Sequence, residues 1–140
     1  MTRDDEGRIA LLSLAFGLLA MVLVLVVVSA SAVHLQRKRL FALADAAAAD
    51  AADALDEGAY YSAGTVLLTD GSVRASAAGY LERHADLPGV VVGEGTGSAD
   101  GRVAQVEFVV QVEPPFTAFV PAQFARVRIV ARSSAVADLR

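Results

Sequence analysis

The residues whose types could carry chemistry are few. Of the two histidines, His34 stands at the end of a long apolar run and His84 follows Arg83. Neither has a serine or carboxylate at a spacing that would pair a nucleophile with a base, so both read as structural. Asp50, Asp53 and Glu57 fall on one face of a helical pattern, and oxygen ligands on one face are what a divalent cation would require. Carboxylates spaced along an exposed helix are, however, ordinarily a solvated face. Gly93-x-Gly95-x-Gly97 is a glycine-rich turn, but no basic residue or helix start follows it, as a phosphate-cradling loop demands. With no cysteine, disulfides and thiolate chemistry drop out together. These patterns predict neither catalysis nor a bound metal or cofactor.

The elements that would position such residues are more informative. Apolar residues make up 55% of the 140-residue chain, too many for an ordinary soluble domain of this size. The excess is concentrated in residues 9–33, an uninterrupted uncharged run. As a helix it reaches about 37 Å, enough to cross a hydrocarbon core of roughly 30 Å with some tilt. Arg3 and Arg8 before the run, and the small-x-small step Ala30-Ser31-Ala32 within it, fit a secretion signal cleaved after Ala32. The run is nevertheless well beyond the ~7–15 apolar residues of a signal core, which favours a retained membrane span. Basic residues nearly balance across it, with Arg37, Lys38 and Arg39 on the far side, so charge does not decide the orientation. A formal charge of −4 argues against nucleic acid as a partner.

After the span comes an alanine and aspartate ladder. At 100° per residue Leu40, Phe41, Ala44, Ala48, Ala51 and Leu55 share about one third of the circumference, and Asp45, Asp50, Asp53, Asp56 and Glu57 take the other side. Leu43 is the exception. No glycine or proline interrupts residues 18–57, which predicts that span and stem form one rod ending at Gly58. Small side chains at four-residue spacing, as in the ladder and at Ser13 and Gly17, allow close helix packing. The alanine face can therefore serve other subunits or lie beneath the chain's own head.

Beyond residue 58 the pattern predicts a small α+β head. A turn is expected at Asp70-Gly71, and then a helix carrying Val73, Ala77, Tyr80, Leu81, His84 and Leu87 at helical spacing, ended by Pro88-Gly89. Three strands follow. The first is the short apolar run between Gly89 and Gly93. The second places Val106, Phe108, Val110 and Val112 opposite Gln105, Glu107, Gln111 and Glu113; the third places Val127, Ile129 and Ala131 opposite Arg126, Arg128 and Arg132. Acidic and basic outward faces on successive strands suit an antiparallel pair. The connecting loop holds prolines together with Phe116, Phe119 and Val120, which either fold over the sheet or offer a partner an apolar contact. At roughly 80 residues the head is near the lower limit of independent stability. The expected division is a tail at 1–8, a span at 9–33, a stem at 34–57 and a head at 58–140.

The junction SAVHLQRKRLFALADAAAADAADAL resembles the TadE/TadG-like proteins of Flp (Tad) pilus systems, which are related to type IV pilin-like proteins. The match is carried by the tail element Asp5-Glu6-Gly7, by the long apolar helix, and by Gln36, Leu40 and Ala44-Asp45-Ala46-Ala47-Ala48. It covers residues 4–56 and extends loosely to the last strand. The resemblance implies a pilin-like architecture, with a single-span envelope protein whose stem lies with other pilin-like subunits and whose head projects outward. It also implies a noncatalytic role in pilus assembly or secretion. Two features depart from the wider family. A prepilin cut after Gly7 would place glutamate where Leu12 stands, and the Asp-x-Ser-x-Ser metal motif of longer TadG proteins is missing. A membrane-tethered binding or sensing module, and a small secreted domain released after Ala32, are the alternative readings.

Overall fold

A computed structural model of the chain describes the backbone of residues 2–61, 67–84, 86–113 and 126–137, with side chains from residue 7 onward except 55–61. The fold is α+β. Helix α1 (Thr2–Tyr61) is followed by helix α2 (Asp70–His84) and by strands β1 (Val91–Val92), β2 (Val103–Val112) and β3 (Val127–Val136). The strands form one antiparallel sheet in the order β1-β2-β3.

At 60 residues α1 is about 90 Å long, and it joins the apolar run to the alanine ladder without a break. It also continues beyond Gly58, where the sequence pattern predicts a stop. A single glycine costs a helix only about 1 kcal/mol, too little to end a rod of this length. The two halves of α1 live in different surroundings. From Ile9 to Val28 the large apolar side chains other than Leu25 are exposed, Leu14 by 71% and Leu11 by 68%. From Leu40 upward one face is covered: Leu40, Ala44, Ala47 and Ala48 have no exposed surface, and Ala51 and Ala52 almost none.

That face is covered by the head. In one cluster the α1 alanines join Val73 and Ala77 of α2, Ala104, Val106, Phe108, Val110 and Val112 of β2, and Ile129 and Ala131 of β3. Alanines on the helix let its backbone come close to the sheet, and the bulk is supplied by Phe108, Leu40, Val73 and Val106, the largest fully buried side chains. The head's core is thus built around the stem, consistent with a domain too small to bury enough surface alone.

The strand alternation appears in the register. Phe108 pairs with Ala131 and Val110 with Ile129 on the covered face, while Glu107 pairs with Arg132 and Gln111 with Arg128 on the other. Acidic and basic outward faces therefore do meet across an antiparallel pair, as their patterns predict. An ion pair at the strand ends, Arg126 Nε to Glu113 Oε1 at 3.4 Å, continues the series.

The start of α2 departs from expectation. Asp70-Gly71 is the first turn of the helix and not a loop turn, because Thr69 caps it. The Ser72 N–H donates to Thr69 Oγ1 and the Thr69 N–H to Ser72 Oγ, both at 3.1 Å, a reciprocal cap that satisfies two otherwise unpaired donors. Asp70 then lies in the first turn and Arg83 and His84 in the last, each sign suited to its end of the helix dipole. Pro88 and Gly89 form the turn before β1, with Gly89 at φ 79°.

Adjacent alanines on α1 should respond in opposite ways. Ala48→Leu, which overfills the helix–sheet contact, is expected to destabilise the head by about 1–3 kcal/mol. Ala49→Leu, one residue on and exposed, should stay within about 0.5 kcal/mol. Thermal unfolding of the full chain checks both.

Candidate functional site

The described head concentrates its polar contacts where the glycine-rich segment crosses β2. Thr96 substitutes for a strand residue: its Oγ1 donates to the Glu107 carbonyl at 3.1 Å and accepts from the Glu107 N–H at 3.0 Å. The Gly93 N–H donates to the same carbonyl at 2.7 Å, and Gly97 exchanges both backbone bonds with Gln105. From the other side Arg74 of α2 donates to the carbonyls of Glu94 and Thr96, at 3.2 and 3.3 Å. Asp70 Oδ1 accepts from the Ser98 N–H at 2.8 Å. The turn is clasped between α2 and the sheet.

Beneath this turn lies Glu107. Its side chain is only 6% exposed, although it belongs to the outward face of β2. The Arg132 Nε donates to Glu107 Oε2, and the carboxylate fills the space where a Cβ on Gly93 would stand. Asp70 likewise fills the space beside Gly97. Here the glycines are dictated by close approach, which is the use the Gly-x-Gly-x-Gly pattern has in place of a phosphate cradle. The hydrogen bond from Arg132 holds the Glu107 carboxyl below its ordinary range; burial opposes this, and the charge of Arg132, the Gly95 N–H and the charge of Arg128 add to it. A carboxylate held ionised and covered in this way is a structural clasp. It has neither the exposure nor the raised affinity for protons that a general acid needs. Asp100, in the turn before β2, is also lowered, by N–H bonds from Arg102 and then Val103.

The other singled-out residues are dispersed. His84 is exposed, stacked on Tyr80 with ring centroids 4.4 Å apart, and its Nδ1 lies 3.3 Å from the Tyr80 carbonyl. His34 lies one helical turn from Arg37, whose guanidinium sits 5.6 Å over the Phe41 ring. Asp50 pairs with Arg83 at 3.4 Å, while Asp53 points to solvent. Among the described residues no group of three metal-ligating side chains converges. Of the stem residues, Leu40, Ala44, Ala48 and Ala51 lie in the head's core and Phe41 is half-buried beside it. Gly7 is exposed near the start of α1, and Ala32 is half-buried at mid-helix. The side chain of Leu55, and Phe116, Phe119 and Val120, lie outside the described residues.

Shallow grooves run along the described surface, two of them bordering the head. One, of about 670 Å³, runs between α1 and α2 and is lined by Arg39, Leu43, Tyr80, Arg83, His84 and Leu87, among others. The other, of about 640 Å³, lies on the outer face of the sheet among Val91, Glu94, Val109, Gln111, Arg128 and Arg132. Sequence patterning marked the arginines of the second groove as outward-facing but missed the burial of Glu107. The signal available for it was the run of alternating glycines, which implies a side chain pressed against them.

What the described residues define is a small α+β head built on a long helix. The lower part of that helix is long and apolar enough to cross a membrane by length and composition. Residues 7–65 match the family model of the Flp pilus-assembly TadE/G-like proteins. The match spans α1 from Gly7 and stops short of α2. No curated protein and no solved structure matches the chain.

The clasp has a pH signature. Because the Glu107 carboxyl is lowered in the folded head, its contribution is present above the carboxylate range of the unfolded chain and is lost as pH falls through the folded value. Glu107→Gln is expected to cost about 1–2 kcal/mol at pH 7 and to flatten the loss of stability below about pH 5. Gly93→Ala, which drives a methyl into that carboxylate, should cost about 1–3 kcal/mol. Unfolding curves between pH 3 and 7 measure both.

Proposed function

We propose that this protein is a noncatalytic, single-span component of the Tad pilus-assembly machinery, with its head outside the cytoplasm and its contacts made to other pilin-like or Tad subunits. The observation that carries the reading is the continuity of α1. One helix supplies an uncovered apolar length of membrane-crossing size and, without a break, the inner layer of the head's core. A rod of this kind holds a head at a set distance from the bilayer and transmits its orientation. The family match over residues 7–65 supports the same role, and the outward placement of the head follows the resemblance, since flanking charges are balanced. The buried and paired state of Glu107 supports a head that acts by shape and charge.

Deletion of the gene is expected to abolish or sharply reduce surface filaments, with full-length protein restoring them; unchanged filaments would remove the assembly role. Placement of the head is read separately. A cysteine at the exposed Ala99, in a chain that otherwise has none, should react with a membrane-impermeant maleimide on intact cells.

A further inference from the structure

The outward face of the sheet is the surface that the assembly reading leaves without a partner. There β3 presents Arg128, Val130 and Arg132, all exposed, with the Arg132 side chain 65% accessible although its Nε is bound to Glu107. The two arginines stand about 13 Å apart along the strand. Val130 is in register with Val109, and Val109 with Val91, so an apolar row crosses all three strands between the charges.

On the opposite side of the head α1 turns the reverse chemistry outward. Asp45, Ala49 and Asp53 are exposed, lie about 12 Å from first to last, and turn away from the buried Leu40, Ala47 and Ala51, with Asp45 at the edge of the covered face beside Ala52. Asp50, at the edge of this strip, is occupied by Arg83, but neither Asp45 nor Asp53 forms an ion pair among the described residues.

We propose that the protein self-associates head to tail, the Arg128–Val130–Arg132 ridge of one copy seating on the Asp45–Ala49–Asp53 strip of the next. Arg128, and the part of the Arg132 guanidinium not bound to Glu107, flank Val130 as Asp45 and Asp53 flank Ala49, at nearly equal spacing, and Ala49 leaves room for Val130 to approach the helix backbone. The groove beside the ridge, lined also by Gln111 and Glu94, takes the flank of the incoming helix. Because the two surfaces differ and lie on opposite sides of one head, each contact leaves a free ridge and a free strip, so the contact repeats. Both back onto one core: Ile129 and Ala131, on the covered side of the same strand, share it with Ala44 to Ala52. Copies anchored by the same span therefore carry ridge and strip on the same side of one membrane, a point that rests on the membrane-anchored reading above.

The test uses the full chain in its own membrane. Ala49→Cys and Val130→Cys together, oxidised in place, should give a ladder of cross-linked species; each single variant alone should stay monomeric, and a mixture of the two should give a heterodimer. Arg128→Glu should lower the cross-linked fraction at least fivefold, and adding either Asp45→Arg or Asp53→Arg should restore it, the effective one revealing the direction of the contact. Absence of the ladder, a dimer from Val130→Cys alone, or indifference to Arg128→Glu would overturn the proposal. Carbonate extraction of the same membranes separates the two readings: protein that resists extraction yet forms no ladder refutes self-association alone, whereas extracted protein refutes the anchoring.

Discussion

The burial of one face of α1, from Leu40 to Ala52, against the sheet and α2 is the contact on which the rest of the structure depends. A three-stranded sheet with one short helix has too little apolar surface to sustain a core. Here the missing layer comes from a helix whose other half is apolar all round. Alanine meets both demands of the position, since it keeps a long rod helical and lets the sheet approach its backbone. The larger side chains that fill the space, Phe108 and Val106, are supplied by the sheet.

From that contact the remaining features follow. With one face of the sheet on the helices, the opposite face turns outward, and its charges must satisfy themselves across strands or be covered. Glu107 does both, pairing with Arg132 and lying under the turn that contains Gly93 and Gly95. The turn is held in its place by Thr96 and by Arg74 of α2, so the position of α2 on α1 and that of the turn on the sheet are mechanically linked. Such a head is well built to present a surface of fixed shape and charge at the end of a rod.

Much of this was legible in the residues. The two-residue alternation of β2 and β3, and the opposite charges of their outward faces, led directly to an antiparallel pair, because side chains on a strand must alternate and opposite charges favour facing positions; the register that sets Glu107 against Arg132 came from the structure. The helical spacing of Val73 and Ala77 likewise marked the buried side of α2. Two local readings failed for a common reason. Asp70-Gly71 has the composition of a turn and Gly58 that of a helix stop, yet both lie in helices. In each case a preference worth about a kilocalorie yielded to its setting, a Thr69–Ser72 cap in one and a long established helix in the other.

By itself the sequence determined that a long uncharged helix leads into an alanine-faced stem and a small α+β head, because periodicity and hydrophobicity are properties of the chain taken a few residues at a time. It left open which neighbour the alanine face would meet, since small side chains favour close packing against any surface. It also left the Gly93-x-Gly95-x-Gly97 segment without a purpose, because the carboxylate that requires those glycines comes from another strand. Only the tertiary structure decided these points, by placing Phe108 and Ile129 over the stem and Glu107 under the turn. In doing so it left the Asp45–Ala49–Asp53 side of the stem and the arginine ridge of β3 exposed, their placement fixed by contacts between residues far apart in the chain.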